Sequence, residues 1–351
     1  MSTPARAPMA HVGGLLATDL IDVADLTADP GALNRGGWWA VLATFEGAMT
    51  GYRFASVRRA DLPERTAAWH GPDPATWRSS LDERQYIQGV HRIRRYIQAG
   101  DVYQVNLCRM LSAPLRGASD PLALARLLAA GNPAPYQGVL QLGDRWVVTA
   151  SPELFLSLDG DLLASSPIKG TTEPGRPFAD KDFPENIMIT DLVRNDLGRI
   201  GRPGSVTVTA LLQRQEHPGL AHLVSTISAR LADGASWAAI LAATFPPGSV
   251  TGAPKIRAQQ VISELEPVQR GPYCGAIGYV DADARRARLA VGIRTFYTAP
   301  DGTGDPNDAE SGDVLHFGTG AGITYSSDPE AEWAETELKA ARLIGLASRH
   351  P

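Results

Sequence analysis

Cysteine is scarce in this chain: there are two, Cys108 and Cys274, and neither belongs to a Cys-x-x-Cys pair. That argues against a disulfide framework and against a cysteine-held zinc site. Positive charge is not in excess. Lys and Arg number 33 against 38 Asp and Glu, for a formal net charge of -5, so no broad basic surface for nucleic acid is implied. No apolar run reaches membrane-spanning length, and Met1 to Gly14 lacks the pattern of a signal peptide; no membrane partner and a cytoplasmic location are expected. Repeats of solenoid period and low-complexity runs are also missing. What remains is the composition of a globular protein, 351 residues long, enough for one large domain or two ordinary ones.

Strand patterns run over Trp38 to Phe45, Tyr52 to Val57, Gln137 to Leu142, Arg145 to Thr149, Leu154 to Leu158 and Asp161 to Ala164. Asp159-Gly160 is a hairpin turn between the last two. A helix pattern spans Asp82 to Ala99 and stops at Gly100. Others span Pro184 to Ile200, Trp237 to Ala243, Pro254 to Glu264 and Pro329 to Leu346, three of them with proline placed as the first helical residue. Many short strands joined by tight turns favour an α+β design with antiparallel sheets. Ala299 to Gly312, rich in Asp, Gly, Pro and Asn, reads as a long hairpin loop between two apolar runs. A softer break falls at Asp61 to Pro74.

Several side chains could carry chemistry. Lys169 lies in Pro167-Ile-Lys-Gly170, between a proline-fixed turn and a glycine, with no carboxylate in the flanking stretch. A lysine so placed can lose its proton by desolvation and become a nucleophile, although the tetrapeptide alone reads first as a surface lysine in a strand-to-loop connection. Ser327 to Glu330 has capping-box spacing, and Glu332 and Glu335 follow on one helix face. Their repulsion, a few tenths of a kcal/mol at about the i,i+3 scale, would change sign around a hard cation; the plainer reading pairs Glu335 with Lys339. Glu185 stands in the first turn of its helix, where the macrodipole favours an anion. Glu153, in Ser151-Pro-Glu153, is a candidate general acid or base. His222 lies in an apolar run, and Arg294 at a strand end could clamp a carboxylate. Gly248 to Lys255 lacks the ending of a P-loop, and Gly318-Thr-Gly320-Ala-Gly322 lacks the third glycine of a dinucleotide fingerprint. Both stretches could still offer N–H groups to a carboxylate.

Ordered blocks carry a resemblance. They are Ala99-Gly-Asp-Val-Tyr-Gln-Val-Asn-Leu107, Ser151-Pro-Glu153, Pro167-Ile-Lys-Gly-Thr171, Glu185-Asn-Ile-Met-Ile-Thr-Asp-Leu-Val-Arg-Asn-Asp-Leu197 and His222-Leu-Val-Ser-Thr226. Gly248-Ser-Val-Thr-Gly-Ala-Pro-Lys255, Gly275-Ala-Ile-Gly-Tyr279, Gly292-Ile-Arg-Thr295 and Ser327-Asp-Pro-Glu-Ala-Glu-Trp-Ala-Glu-Thr336 complete the set. Together they resemble the chorismate-utilising enzymes, and within them the aminodeoxychorismate synthase component I type, from about Leu81 to the C-terminus. Anthranilate synthases of that family usually carry alanine in place of Lys169. Isochorismate and salicylate synthases usually carry lysine in place of Gln104.

The resemblance implies one α+β unit of two packed antiparallel β-sheets with helices outside. Residues 1–80 would be a shortened N-terminal segment of that unit, and 81–351 the chorismate-binding catalytic domain. It implies Mg2+-dependent amination of chorismate to 4-amino-4-deoxychorismate through a covalent Lys169 intermediate. Glu153 would be the acid and His222 an orienting group. Arg294, Tyr279, Ser249, Thr171, Gly320 and Gly322 would bind substrate, and Glu185, Glu332 and Glu335 would hold Mg2+. Ammonia would come from a separate glutamine amidotransferase subunit, and a downstream lyase would take the product toward p-aminobenzoate and folate or a related aromatic amine. An anthranilate synthase large component and a non-catalytic chorismate-binding subunit are the rival readings. The short segment before Leu81 and Ile323-Thr-Tyr-Ser326 depart from the family pattern.

Overall fold

Eight consecutive buried residues, Gln104 to Leu111, begin the strand Gln104–Pro114 and shield it from water on both faces. Such a strand belongs inside a fold. In the computed structural model it pairs along its length with Val314–Ile323. The model describes residues 6–64, 67–115, 119–143, 145–217, 220–299 and 314–349.

From that pair one antiparallel ladder runs through the molecule. It passes from Val314–Ile323 to Thr295–Ala299, Arg145–Ser151, Tyr136–Leu142 and Met9–Val12. It continues through Leu15–Asp25, Met49–Arg59, Trp38–Ala43, Ala276–Asp281 and Arg286–Val291. Leu154–Asp159, Leu162–Ser166, Leu220–Arg230 and Thr207–His217 complete it. The expected α+β antiparallel design is present, but its two layers are halves of one sheet. Met9–Val12 hydrogen-bonds to a strand on each side and joins them. The sheet folds back so that Leu107, Leu140 and Val147 of one half share a core with Trp39, Leu156 and Ile277 of the other.

Six α-helices accompany the sheet among the described residues: α1 Glu83–Gln98, α2 Pro121–Gly131, α3 Asp182–Gly198, α4 Trp237–Thr244, α5 Lys255–Leu265 and α6 Pro329–Ala347. Asp82 and Gln85 form a reciprocal capping box on α1. α3 begins two residues before the expected Pro184, which therefore sits in the first turn, where its missing N–H has no helical partner to lose. α6 is capped by Asp328 and not by Ser327. The Ser327 hydroxyl donates instead to Glu332 at 2.7 Å. Pro254 is the residue before α5 and not its first. Strands Thr295–Ala299 and Val314–Ile323 pair as the expected long hairpin requires, while residues 300–313 of its loop lie outside the described residues.

A buried ion pair fixes one end of the ladder. The Arg270 guanidinium donates to Glu266 at 2.8 and 2.6 Å, to the Val250 carbonyl at 2.9 Å and to the Asn106 carbonyl at 2.8 Å. Glu266 in turn accepts the Cys108 N–H at 2.8 Å. The pair so ties the loop after α5 to strand Gln104–Pro114 and to the Gly248–Val250 turn. Replacing one partner strands a buried charge, at a cost of about 3–5 kcal/mol. Arg270→Leu should lower the unfolding free energy by that amount, measured by guanidinium titration; an unchanged midpoint would show that the clamp contributes nothing net.

Candidate active site

Lys169 stands where the two ends of the ladder meet. Its strand, Ile168–Thr172, pairs with Leu220–Arg230, and the register slips between Ile168 and Thr171. Gly170 permits the slip: its φ is +91°, and a Cβ there would press on Asp182. The lysine side chain is only 10% exposed. Its ammonium lies 2.7 Å from Glu185 Oε1 and 3.5 Å from Asn106 Oδ1. Gln104 Nε2 donates to the same Glu185 oxygen. The flanking sequence offers no carboxylate, but the fold supplies one from the first turn of α3. Gly322 lets the strand pass close by, since a Cβ there would strike Gln104 and Glu185 and lie 3.2 Å from Lys169 Nζ.

Glu153 is 3% exposed. Burial pushes its carboxyl up to about 7, against the Ser249 hydroxyl, the Lys169 charge and the Ile168 N–H, which pull it down. The Ser249 carbonyl accepts from Asn106 Nδ2 at 3.1 Å, so Glu153, Ser249, Asn106 and Lys169 form a connected polar chain. His222 sits across from Thr171 in the ladder, with Nδ1 2.9 Å from the threonine hydroxyl. Arg294 adopts a left-handed φ of +52°, unusual for a side chain of its size. It lines a small pocket with His222, Pro152, Asn132 and Arg342.

The three candidate metal-holding glutamates are distributed over α3 and α6. Lys181 Nζ is 3.5 Å from both Glu332 Oε1 and Glu335 Oε2, and Lys339 is 2.7 Å from Glu335 Oε1. Burial raises the Glu332 carboxyl; burial also works against the Glu335 carboxylate, but Lys339 and Lys181 outweigh it and hold it low. Oxygen-only donors around a resident ammonium suit a hard cation in their chemistry. They do not converge on a single ligand cluster among the described residues: Glu185 is engaged by Lys169, and the other two by Lys181.

Comparison with known proteins decides the family. The family described as chorismate binding enzyme matches residues 50–345. The chain belongs to the chorismate-binding enzymes. It is 39% identical over 301 residues to anthranilate synthase component 1 of Streptomyces coelicolor, covering 82% of this chain and 56% of that protein. It is 37% identical over 317 residues to aminodeoxychorismate synthase component 1 of Salmonella typhimurium, covering 86% and 65%. The crystal structure of anthranilate synthase component I from Streptococcus pneumoniae superposes with a TM-score of 0.75 over 98% of this chain and 91% of that one, at 24% identity, and so shares the fold.

Two of the positions expected to bind substrate pack against other side chains of the fold. Tyr279 stacks on Trp38 at 5.5 Å, and its ring lies against Gly13. Gly320 faces Cys108, deeper along the strand. Gly318, Gly320 and Gly322 form a side-chain-free stripe filled by Tyr273, Cys108 and Gln104 in turn. The fingerprint-like run is thus a strand face, with period two as its signal. Lys255 is structural: it donates to Asp196 at 2.6 Å and to the Thr244 carbonyl at 2.9 Å, joining α5 to α3. Sequence reading passed over Asn106, Lys181, Asn132 and Arg342; the first lies in a matched block, but its side-chain contact depends on strand register.

The raised Glu153 carboxyl makes a linked prediction. The folded chain binds this proton more tightly than the unfolded chain, whose carboxyl titrates near 4.5. Stability should therefore fall as pH rises from about 4.5 to about 7, by about 3 kcal/mol in all. Glu153→Gln should remove that slope, leave the protein at least as stable at pH 8, and lower turnover ~10²–10⁴-fold. Denaturant unfolding of both proteins at pH 5 and pH 8 measures it; parallel pH dependences would show that Glu153 does not titrate there.

Proposed function

We propose that this chain aminates chorismate at C4 to give 4-amino-4-deoxychorismate. The observation that carries the reading is Lys169, nearly buried and joined by hydrogen bonds and charge to a carboxyl raised to about 7. In the first step the neutral Lys169 amine adds at C2, the ring double bond shifts, and the 4-hydroxyl leaves as water with a proton from Glu153. In the second, ammonia adds at C4, the double bond returns, and the lysine nitrogen departs. Chorismate and ammonia give aminodeoxychorismate and water. A nucleophile divides one difficult displacement into two easier ones.

Lys169 rests in an ion pair with Glu185, 2.7 Å away. Attack requires that Glu185 be engaged elsewhere. Glu185, Glu332 and Glu335 would hold Mg2+, and the metal would offset the negative charge of the substrate. Thr171 would hold His222 toward the substrate, with Arg294 on one of its carboxylates.

A second reading has support of its own, because anthranilate synthase and aminodeoxychorismate synthase components are similar to this chain to nearly the same degree. Lys169 favours the amine that keeps its enolpyruvyl group, as anthranilate synthases usually carry alanine there. The ammonia source is a separate glutamine amidotransferase subunit in this proposal. Cys108 and Cys274 are both buried, and neither sits in the Gly-x-Cys-x-Gly turn such a glutaminase needs.

One incubation with chorismate, Mg2+ and an ammonium salt, read by mass, tests the reading. The expected product retains the enolpyruvyl group. Anthranilate would support the rival synthase, and intact chorismate a binding subunit. Glutamine in place of ammonium should give nothing, and EDTA should abolish turnover. Lys169→Ala should keep the fold and chorismate binding and lose product formation. Lys169→Arg should fail as well, since guanidinium stays charged. An unchanged rate in Lys169→Ala would remove the lysine from the chemistry.

A further inference from the structure

The pocket beside His222 contains hydrogen-bond donors with nothing to receive them. Arg294 enters from the start of strand Thr295–Ala299 and Arg342 from α6. Asn132 enters from the residue that ends α2. No hydrogen bond or ion pair engages either guanidinium among the described residues. The charge that bears on Arg294 is that of Arg342, which adds to burial in pushing it down to about 10. Asn132 is 7% exposed, and its buried Nδ2 has no acceptor among the described residues. Leu220, Pro133, Pro135 and Pro152 supply the remaining wall and contribute no carboxylate.

Two like charges and an unfilled amide donor in one pocket are unfavourable until an anion arrives. A carboxylate has two oxygens and about four lone-pair directions, which match two guanidiniums and an amide. The pocket is also continuous with the chemistry. His222 lines it, His222 holds Thr171, and Thr171 is two residues from Lys169 on the same strand.

We propose that Arg342 and Asn132 complete, with Arg294, a recognition pocket for the substrate carboxylate farthest from Lys169. The proposal rests on the reading of chorismate as substrate. Arg342 and Asn132 act there as specificity-determining residues, taking no part in bond making. Arg342 is exposed at the pocket mouth, so its contribution is screened by salt, whereas that of Asn132 is not.

Chorismate titration by calorimetry, together with kcat and KM, on the full chain tests this. Arg342→Gln should weaken chorismate binding about tenfold at low salt, with the loss in KM and little in kcat. Arg342→Lys should recover part of it, and high salt should narrow the gap to wild type. Asn132→Leu, branched alike at Cγ but without the amide donor, should weaken binding about tenfold at any salt. Melting temperatures establish that each variant is folded; that of Arg342→Gln should not fall, because the substitution removes a repulsion. If the wild type binds chorismate and Arg342→Gln binds it equally well at low salt, the pocket assignment is overturned while the functional reading stands. A wild type that does not bind chorismate overturns both.

Discussion

The ion pair between Lys169 and Glu185 forms where α3 packs on the strand that follows Pro167, and the closure of the sheet adds Gln104 and Asn106 to it. The lysine belongs to a strand near one end of the ladder, and the glutamate to α3. Gln104, which shares the glutamate, opens the strand at the other end. A lysine at 10% exposure must have a partner; α3 supplies the carboxylate, and the folding back of the sheet supplies the two amide side chains beside it. Everything in the site is arranged around that meeting. The Gly170 register slip aims the lysine, Gly322 leaves room for it, and the Arg270–Glu266 clamp holds the strand that carries Gln104 and Asn106.

Three acids of the site are each engaged by an ammonium of the chain itself. Glu185 has Lys169, Glu332 has Lys181, and Glu335 has both Lys181 and Lys339. Without such partners, the buried carboxylates of Glu185 and Glu332 would be left as unpaired charges. The arrangement also defines an order of events for any incoming cation, which must displace lysine side chains that already neutralise the same oxygens. The anion pocket has the opposite character, with positive groups and no acid to match them. The two regions divide the site by charge, and a substrate with carboxylates at both ends has one orientation that suits them.

Local elements were legible wherever local physics determines them. Asp82 and Gln85 announce α1, Pro329 announces α6, and Asp159-Gly160 announces its hairpin, because caps and turns act over three or four residues. The boundaries moved where two caps competed, as with Ser327 and Asp328. The α+β class was legible from strand density, but not the single continuous ladder, whose joining strand Met9–Val12 has four residues and no distinctive pattern. Among candidate site residues, Lys169, Glu153 and His222 stand out through motifs. The partner of Lys169 does not, because sixteen residues and a helix boundary separate the two in sequence. Tyr279 was taken from a matched block, yet its ring lies on Trp38, and it is Tyr273 that meets the glycine stripe. Arg342 lies beyond every motif on a helix face that reads as ordinary solvated surface.

The stripe Gly318, Gly320 and Gly322 has a consequence for how packing is decided along its strand. A strand face without side chains contributes only backbone, so it imposes no preference of its own on what lies against it. Preference passes to the residues that fill the stripe: Tyr273, Cys108 and Gln104. Two of these stand on the strand facing it and one on a neighbouring loop, each at a separate depth. A single exchange at one depth alters the packing there without adding a side chain to the ladder beneath it. The glycines thus act as a blank template, and the packing at each depth is written by the residue opposite.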